Sequence, residues 1–250
     1  MFFGSTSKNI NFFTLISTAI TVIGIFYFDF SFINIVYTII SFYILNIIGV
    51  WMMLHRYFSH SSFNFRHKFL QHLFTLIALL SCRGSPISWV YIHRQHHAHS
   101  DTEKDPHSPK ILGYKIFGFD HYQGMEQQKM KIFLVKDLMT KQHLFIHKYY
   151  FLLICGFMFL LAVFDIEMLY FFYILPITLV HLSQNYFNYF GHSYGYRNFE
   201  TRDNSRNNIW LFPFILGEAW HNNHHHRPST STTKVKSYEI DPINWLIKYV

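Results

Sequence analysis

The sequence predicts an all-α membrane protein with four transmembrane helices in two hairpins and a cytosolic helical cap that carries a histidine-rich metal site. Three observations predict this fold class: four long apolar segments, basic residues confined to particular segments between them, and histidine clusters near their ends. Half of the 250 residues are hydrophobic and only 14% are charged, which is typical of a protein that lies largely in a bilayer. We expect a single domain over residues 1–250.

The first two apolar segments form a hairpin with a very short turn. Segment 10–28 is long enough to cross a hydrocarbon core of about 30 Å, and segment 32–54 crosses back. The turn between them, residues 29–31, contains one charge. The alternative, a buried helical hairpin of a soluble protein, is disfavoured because two adjacent apolar runs of about twenty residues exceed what a soluble core needs.

The second hairpin comprises segments 149–164 and 168–187, which turn over Asp165 and Glu167. Pro176 is expected to kink the fourth span, because proline cannot donate a helical hydrogen bond. Polar groups at membrane depth are costly unless they face the bundle or water, so the polar residues at the inner end of this span are expected to line a site. They are His181, Ser183, Gln184, Asn185 and Asn188. His181 is interpreted as a metal ligand, as a residue that supports a ligand, or as a residue that lines the cavity.

The basic residues predict the orientation of the chain. Of the 21 lysines and arginines, Lys8 precedes the first span, thirteen lie between Arg56 and Lys148, and seven lie from Arg197 onward. Basic residues remain on the cytoplasmic side of membrane proteins, so segments 55–148 and 188–250 and both termini are expected to be cytoplasmic. No nucleic-acid partner is indicated, because the basic residues are not interleaved with stacking aromatics in a soluble module.

Histidines recur with a spacing that suits metal binding. Residues i, i+3 and i+4 of a helix share one face, so each cluster with this spacing directs three imidazoles at one small volume. The two clusters are His93, His96 and His97 and, more than a hundred residues later, His221, His224 and His225. A further pair, His55 and His60, ends the second span. Ideal helix places residues five apart about 140° from each other, so both reach one metal only if the helix ends or distorts between them.

Two more residues at the end of the fourth span share a helical face. Asn188 and His192 are four residues apart, near the place where the second span brings His55. The polar loop 100–109, which follows the second histidine cluster, is expected to be a solvated surface.

These motifs, in this order, resemble the integral-membrane fatty acid desaturases of the acyl-CoA Δ9 (stearoyl-CoA desaturase-like) family. The resemblance covers residues from about 50 to 241. It rests on the HxxxxH motif at His55, the HxxHH motifs at His93 and His221, the segment Asn188-Tyr-Phe-Gly-His192, and Glu239-Ile-Asp-Pro242.

The resemblance implies a di-iron centre that uses O₂ to insert a cis double bond, at Δ9, into an acyl chain carried by CoA or by a lipid. The implied ligands of one iron are His55, His60, His93, His97 and His224. The implied ligands of the other are His96, His192, His221, His225 and, through a water, Asn188. The catalytic group is the metal cluster itself, with no separate acid or base. The chain has no dinucleotide-binding fingerprint and no haem-binding motif, so a separate ferredoxin or cytochrome b5-like electron donor and its reductase are implied.

A narrow apolar tunnel is expected to hold the acyl chain beside the metals. Five residues on the helical face of His55 are candidates to line or close it: Tyr43, Ile44, Ile47, Ile48 and Trp51. Ordinary helix packing explains any one of them equally well.

Two other functions are compatible with the motifs. A related membrane di-iron hydroxylase or ketolase, acting on an alkane, sterol or carotenoid, would use the same metal chemistry. A histidine-rich membrane metal transporter is a more distant alternative, because it requires ionisable residues inside several spans, whereas His181 is the only histidine inside a span and the histidine clusters lie at the span ends.

Overall fold

The computed structural model describes residues 4–118 and 132–250; residues 119–131 of the expected cytosolic segment lie outside this part. Within it, four helices are long and apolar enough to cross a membrane: α1 (Ser7–Tyr27), α2 (Phe32–Ser59), α6 (Lys141–Phe164) and α7 (Ile166–Phe190). No strand forms among the described residues, and the extended pairing there is limited to isolated bridges at Asn207. The prediction of an all-α fold with four spans in two hairpins is confirmed.

Each hairpin turns through a capped helix start. The Ser31 side chain accepts a hydrogen bond from the backbone N–H of Asn34 at the start of α2. The Asp165 side chain accepts one from the N–H of Glu167 at the start of α7. A side-chain oxygen at this position satisfies one of the unpaired N–H groups of the first helical turn, so the chain reverses without a long loop.

The third span begins earlier than the sequence predicted. Helix α6 starts at Lys141 rather than at 149, and its backbone leaves helical geometry at Tyr149, with φ −108° and ψ 18°. Hydropathy marks where the chain becomes apolar, whereas the helix itself begins in the polar segment before that point. The distortion at Tyr149 therefore coincides with the boundary that the sequence analysis detected.

The second span is distorted in the way that the histidine spacing required. From Ile44 to Ser59, α2 is π-helical, and it ends with His60 as its C-cap. A π-helix closes its hydrogen bonds from residue i to i+5. Two side chains five residues apart therefore face the same way, which places His55 and His60 together.

The fourth span also contains a π-helical turn, at Tyr170–Ile174, immediately before Pro176. Widening the helix at this point accommodates a proline that cannot donate a backbone hydrogen bond.

Short helices on one end of the bundle form the cap. They are α3 (Lys68–Leu80), α4 (Pro86–His99), α5 (Pro109–Leu112), α8 (Phe212–Ile215), α9 (His221–His226) and α10 (Pro242–Ile247). Helices α3 and α4 pack along the π-helical half of α2, and α4 also contacts α6. This packing brings the histidine-bearing helix α4 against the inner end of the second span.

Candidate metal centre

Nine histidines from four segments meet where the spans join the cap. They form two groups, and within each group the candidate ligand atoms lie within 4.8 Å of one another. The first group contains His55, His60, His93, His97 and His224. The second contains His96, His192, His221 and His225. The two groups contain the histidines that the family resemblance implied as ligands of two metal ions; Asn188, implied through a water, is described below.

The first group joins the end of α2 to helices α4 and α9. The Nε2 atoms of His55 and His224 are 3.0 Å apart, and those of His60 and His93 are 2.8 Å apart. The His224 Nε2 atom also lies 3.1 Å from that of His97. Two nitrogens bound at right angles to one ion, each about 2.1 Å from it, are about 3.0 Å apart. The measured separations therefore fit imidazoles that share an ion.

The second group joins α4 and α9 to the end of α7. The Nε2 atoms of His192 and His221 are 2.9 Å apart, and the His96 ring centroid is 4.9 Å from that of His192. The Nε2 atom of His225 is buried and has no hydrogen-bond partner among the described residues. A buried nitrogen that points into a cluster of imidazoles is the expected arrangement for a metal ligand.

Three carboxylates hydrogen-bond the outer nitrogens of three of these histidines. The Nδ1–oxygen distances are 2.9 Å for His96 and Asp105, 3.0 Å for His192 and Asp101, and 2.7 Å for His225 and Asp203. A fourth carboxylate, Glu218, lies 3.0 Å from His55 Nδ1 as an ion-pair contact without hydrogen-bond geometry. A histidine that donates its Nδ1 hydrogen to a carboxylate presents the Nε2 lone pair to the centre. Two such lone pairs only 3 Å apart repel each other unless a cation lies between them. The donor set therefore fits metal ions.

The expectation that loop 100–109 is a solvated surface was wrong for two of its acids. Asp101 and Asp105 are buried, with 8% and 4% of their surface exposed. Sequence reasoning also passed over His107, whose ring stacks on that of His96 with centroids 4.3 Å apart. The one available signal was position, since all three lie in the short loop directly after the histidine-bearing helix α4.

Burial keeps the histidines in the form that binds metal. Burial is the largest cause that holds the pKa of His93, His97 and His224 well below the ordinary value for histidine. Repulsion from neighbouring imidazoles lowers these pKa values further. Burial also lowers the pKa of His225 to about 4, although Asp203 opposes this change. At neutral pH these imidazoles are uncharged, and an uncharged imidazole has a lone pair available for a metal.

A buried series of ion pairs, the Glu218–Arg56–Asp241 relay, contacts the first group through His55. Glu218 accepts a hydrogen bond of 2.6 Å from Arg56 Nε, and Arg56 in turn binds both carboxylate oxygens of Asp241, at 3.0 and 3.1 Å. Burial by itself raises the pKa of Glu218, but Arg56 and His55 outweigh it and lower the pKa to about 2. Since Asp241 also caps α10, the relay connects His55 to the C-terminal helix.

Asn188 and His181 occupy different positions relative to the two groups. Asn188 lines a small pocket together with His96 and His221 of the second group. His181 belongs to neither group; its Nδ1 accepts a hydrogen bond from Arg83. His181 lines neither of the two described cavities; it contacts Arg83, which lines the small pocket.

The five tunnel candidates lie in different environments. Tyr43 lines an open apolar cleft of about 900 Å³ between α2, α7 and segment 208–214, and its hydroxyl donates to the Pro213 carbonyl. Trp51 lines the small pocket beside the histidines. Ile44, Ile47 and Ile48 line neither cavity. Ile47 is buried in the packing between helices.

Comparison with known proteins places these features in a family. Residues 32–245 match the family model described as "Fatty acid desaturase". The chain is 33% identical over 205 residues to Delta-9 acyl-lipid desaturase 1 of Arabidopsis thaliana, covering 80% of this chain and 66% of that protein. It is 30% identical over 201 residues to sn-1 stearoyl-lipid 9-desaturase of Anabaena variabilis, covering 80% and 73%. It is also 30% identical over 227 residues to hex-5-enoyl-[acyl-carrier protein] acetylenase of Moorena producens, covering 81% and 70%.

Proposed function

The chain belongs to the fatty acid desaturase family, and on that premise we propose that it inserts a cis double bond at Δ9 into the acyl chain of a membrane lipid. The observation that carries the proposal is the meeting of nine histidines in two groups beside an apolar pocket. A lipid carrier is proposed over CoA because two of the relatives above are named for action on acyl lipids.

The two histidine groups would each hold one iron ion, with Asn188 completing the second through a water. Bound there, two irons would supply the O₂-dependent removal of one hydrogen from each of two adjacent methylenes, leaving a double bond and water. The chain's own residues supply orientation. The carboxylates fix the orientation of the imidazole rings. The aromatic rings of Trp51, Trp89 and Phe187 line the pocket and would exclude water from the reacting carbons.

The apolar cleft supports a substrate that comes from the bilayer. Its walls include Phe42 of the second span, Leu179 and Tyr186 of the fourth, and Trp210 and Phe214 of the cap. Its volume of about 900 Å³ is at the upper end of the range for small-molecule sites. A cleft between two membrane-spanning helices is accessible to an acyl chain without transfer of that chain through water.

We place the centre on the cytoplasmic side of the membrane, with both termini, because the basic residues lie in the segments that form the cap. Electrons for each turnover would come from a separate ferredoxin or cytochrome b5-like protein. Residues 1–250 would form one desaturase domain.

Expression in a host that lacks unsaturated fatty acids tests the function. Membrane lipids from cells with the wild type should contain new cis double bonds, and cells with His97→Ala should show none. His99→Ala is the matched control, since His99 lies on the same helix but in neither metal group. A product that contains an added hydroxyl or keto oxygen instead of a double bond would favour the hydroxylase alternative. Absence of both products in iron-replete cells with a working donor would refute the proposal.

A further inference from the structure

The pocket beside the histidines has one polar wall. The pocket measures about 40 Å³ and touches both metal groups, through His93 of the first and His96 and His221 of the second. Most of its remaining surface is aromatic or aliphatic, as expected for a site that faces methylene groups. Besides the three histidines of the metal groups, the polar residues that line it are Arg83, Gln184, His107 and Asn188.

Arg83 fixes the orientation of Gln184. The arginine lies in the loop before α4, is 3% exposed, and donates a hydrogen bond of 3.1 Å from Nε to Gln184 Oε1. Its NH1 group donates to His181 Nδ1. A guanidinium can only donate hydrogen bonds, so the oxygen of Gln184 must face it and the Nε2 group must point elsewhere.

The Nε2 group of Gln184 is a buried donor. Gln184 is 5% exposed, and its Nε2 atom makes no hydrogen bond to any of residues 4–118 and 132–250. Leaving an amide N–H buried and unpaired is costly, and replacement by an apolar side chain of similar size would remove that cost. A saturated hydrocarbon chain offers no acceptor, whereas an oxygen on the chain does.

We propose that Gln184 Nε2 donates a hydrogen bond to a hydroxyl or keto oxygen on the acyl chain, within a few carbons of the carbons that react. Gln184 is then a specificity-determining residue, and Arg83 positions it. The inference rests on the proposed desaturase function and adds to it a preference for oxygen-bearing acyl chains over unsubstituted ones. A site arranged to hydrogen-bond a substrate oxygen discriminates strongly against the analogue that lacks it, because the donor is then left unpaired.

Binding can be measured without turnover. The iron-loaded full chain in detergent is titrated with stearate, 7-hydroxystearate and 12-hydroxystearate, and quenching of tryptophan fluorescence is followed, since Trp51 and Trp89 line the pocket. One of the hydroxylated acids should bind about tenfold more tightly than stearate to the wild type. In Gln184→Leu this preference should disappear, so that stearate and the hydroxylated acids bind with about equal affinity. Gln71→Leu, the same substitution on α3 away from the pocket, should keep it.

Turnover provides the second readout. Cells that express each variant are fed stearate together with one hydroxystearate, and the ratio of the two desaturated products is measured. The wild type should favour the hydroxylated chain, and Gln184→Leu should shift the ratio toward stearate.

Equal binding of stearate and both hydroxystearates by the wild type overturns the inference, as does a preference that survives in Gln184→Leu. Its failure can be told from failure of the proposed function. Desaturation of stearate without any preference contradicts only the role of Gln184, whereas a binding preference without any new double bond contradicts only the reaction.

Discussion

Replacing Glu218 by glutamine should loosen the first metal group. One oxygen of Glu218 lies 3.0 Å from His55 Nδ1 and the other accepts from Arg56 Nε at 2.6 Å. Glutamine keeps one oxygen and presents an NH₂ group to the other partner, so one attractive contact becomes a contact between two donors. Breaking a buried charge pair costs about 3–5 kcal/mol, and we expect about 3 because Arg56 retains Asp241.

The same change should weaken iron binding. Loss of the partner of a metal-binding histidine commonly lowers metal affinity about 10- to 100-fold. Purified protein is dialysed against increasing chelator concentrations, and iron per chain is measured together with the unfolding temperature of the metal-free protein. Glu200→Gln is the control, because Glu200 is 94% exposed and lies 4.0 Å from its nearest partner, Arg197.

The substitution is needed because pH does not remove this charge in the useful range. The pKa of Glu218 is lowered from 4.5 to about 2 in the folded protein. The ionised Glu218 carboxylate therefore stabilises the folded protein fully at pH values above its ordinary pKa of 4.5. This stabilisation is lost only as the pH falls toward about 2. If Glu218→Gln keeps its iron at the chelator concentrations that the wild type tolerates, and unfolds at the same temperature, the relay does not support the centre as argued.

Three further changes test other parts of the molecule. Asp203→Asn should release iron from the second group first, because Asp203 orients His225. Iron per chain should then fall toward half at chelator concentrations at which the wild type keeps all of its iron. Gly195→Ala should lower the unfolding free energy by at least about 1 kcal/mol, measured by thermal unfolding, since φ is +132° and a Cβ would lie 2.2 Å from an opposing carbonyl oxygen. Tyr43→Ala should change the acyl chain lengths found in the product more than Ile47→Ala does, because only Tyr43 lines the cleft; a larger shift with Ile47→Ala contradicts this.

The histidines were the most predictable part of the site. Their spacing of three and four residues is a local property of a helix, so it can be read directly from the sequence. The pair His55 and His60 was informative for the opposite reason. A spacing of five does not suit an α-helix but does suit the i to i+5 repeat of a π-helix, and the structure has a π-helix there.

The carboxylates that hold the histidines were not predictable from local pattern. Asp101 lies 91 residues before His192, which it binds, and its backbone has a positive φ of 60° in an irregular loop. Neither helical nor strand periodicity extends into such a loop. The acids were therefore assigned to a solvated surface, although folding buries them between the cap and the end of α7.

The proposed substrate contact and the proposed metal ligands lie on the same two elements. Arg83 lies just before α4, which carries His93 and His96, and Gln184 lies one helical turn before Asn188 on α7. The hydrogen bond from Arg83 to Gln184 joins these two elements and so holds the donor at a set distance from the histidines of α4. The chain position that a hydrogen bond at Gln184 selects is therefore fixed relative to the histidines. A long flexible chain can be held at one pair of carbons in this way, because one polar contact near the reacting carbons sets the register that apolar contacts alone leave free.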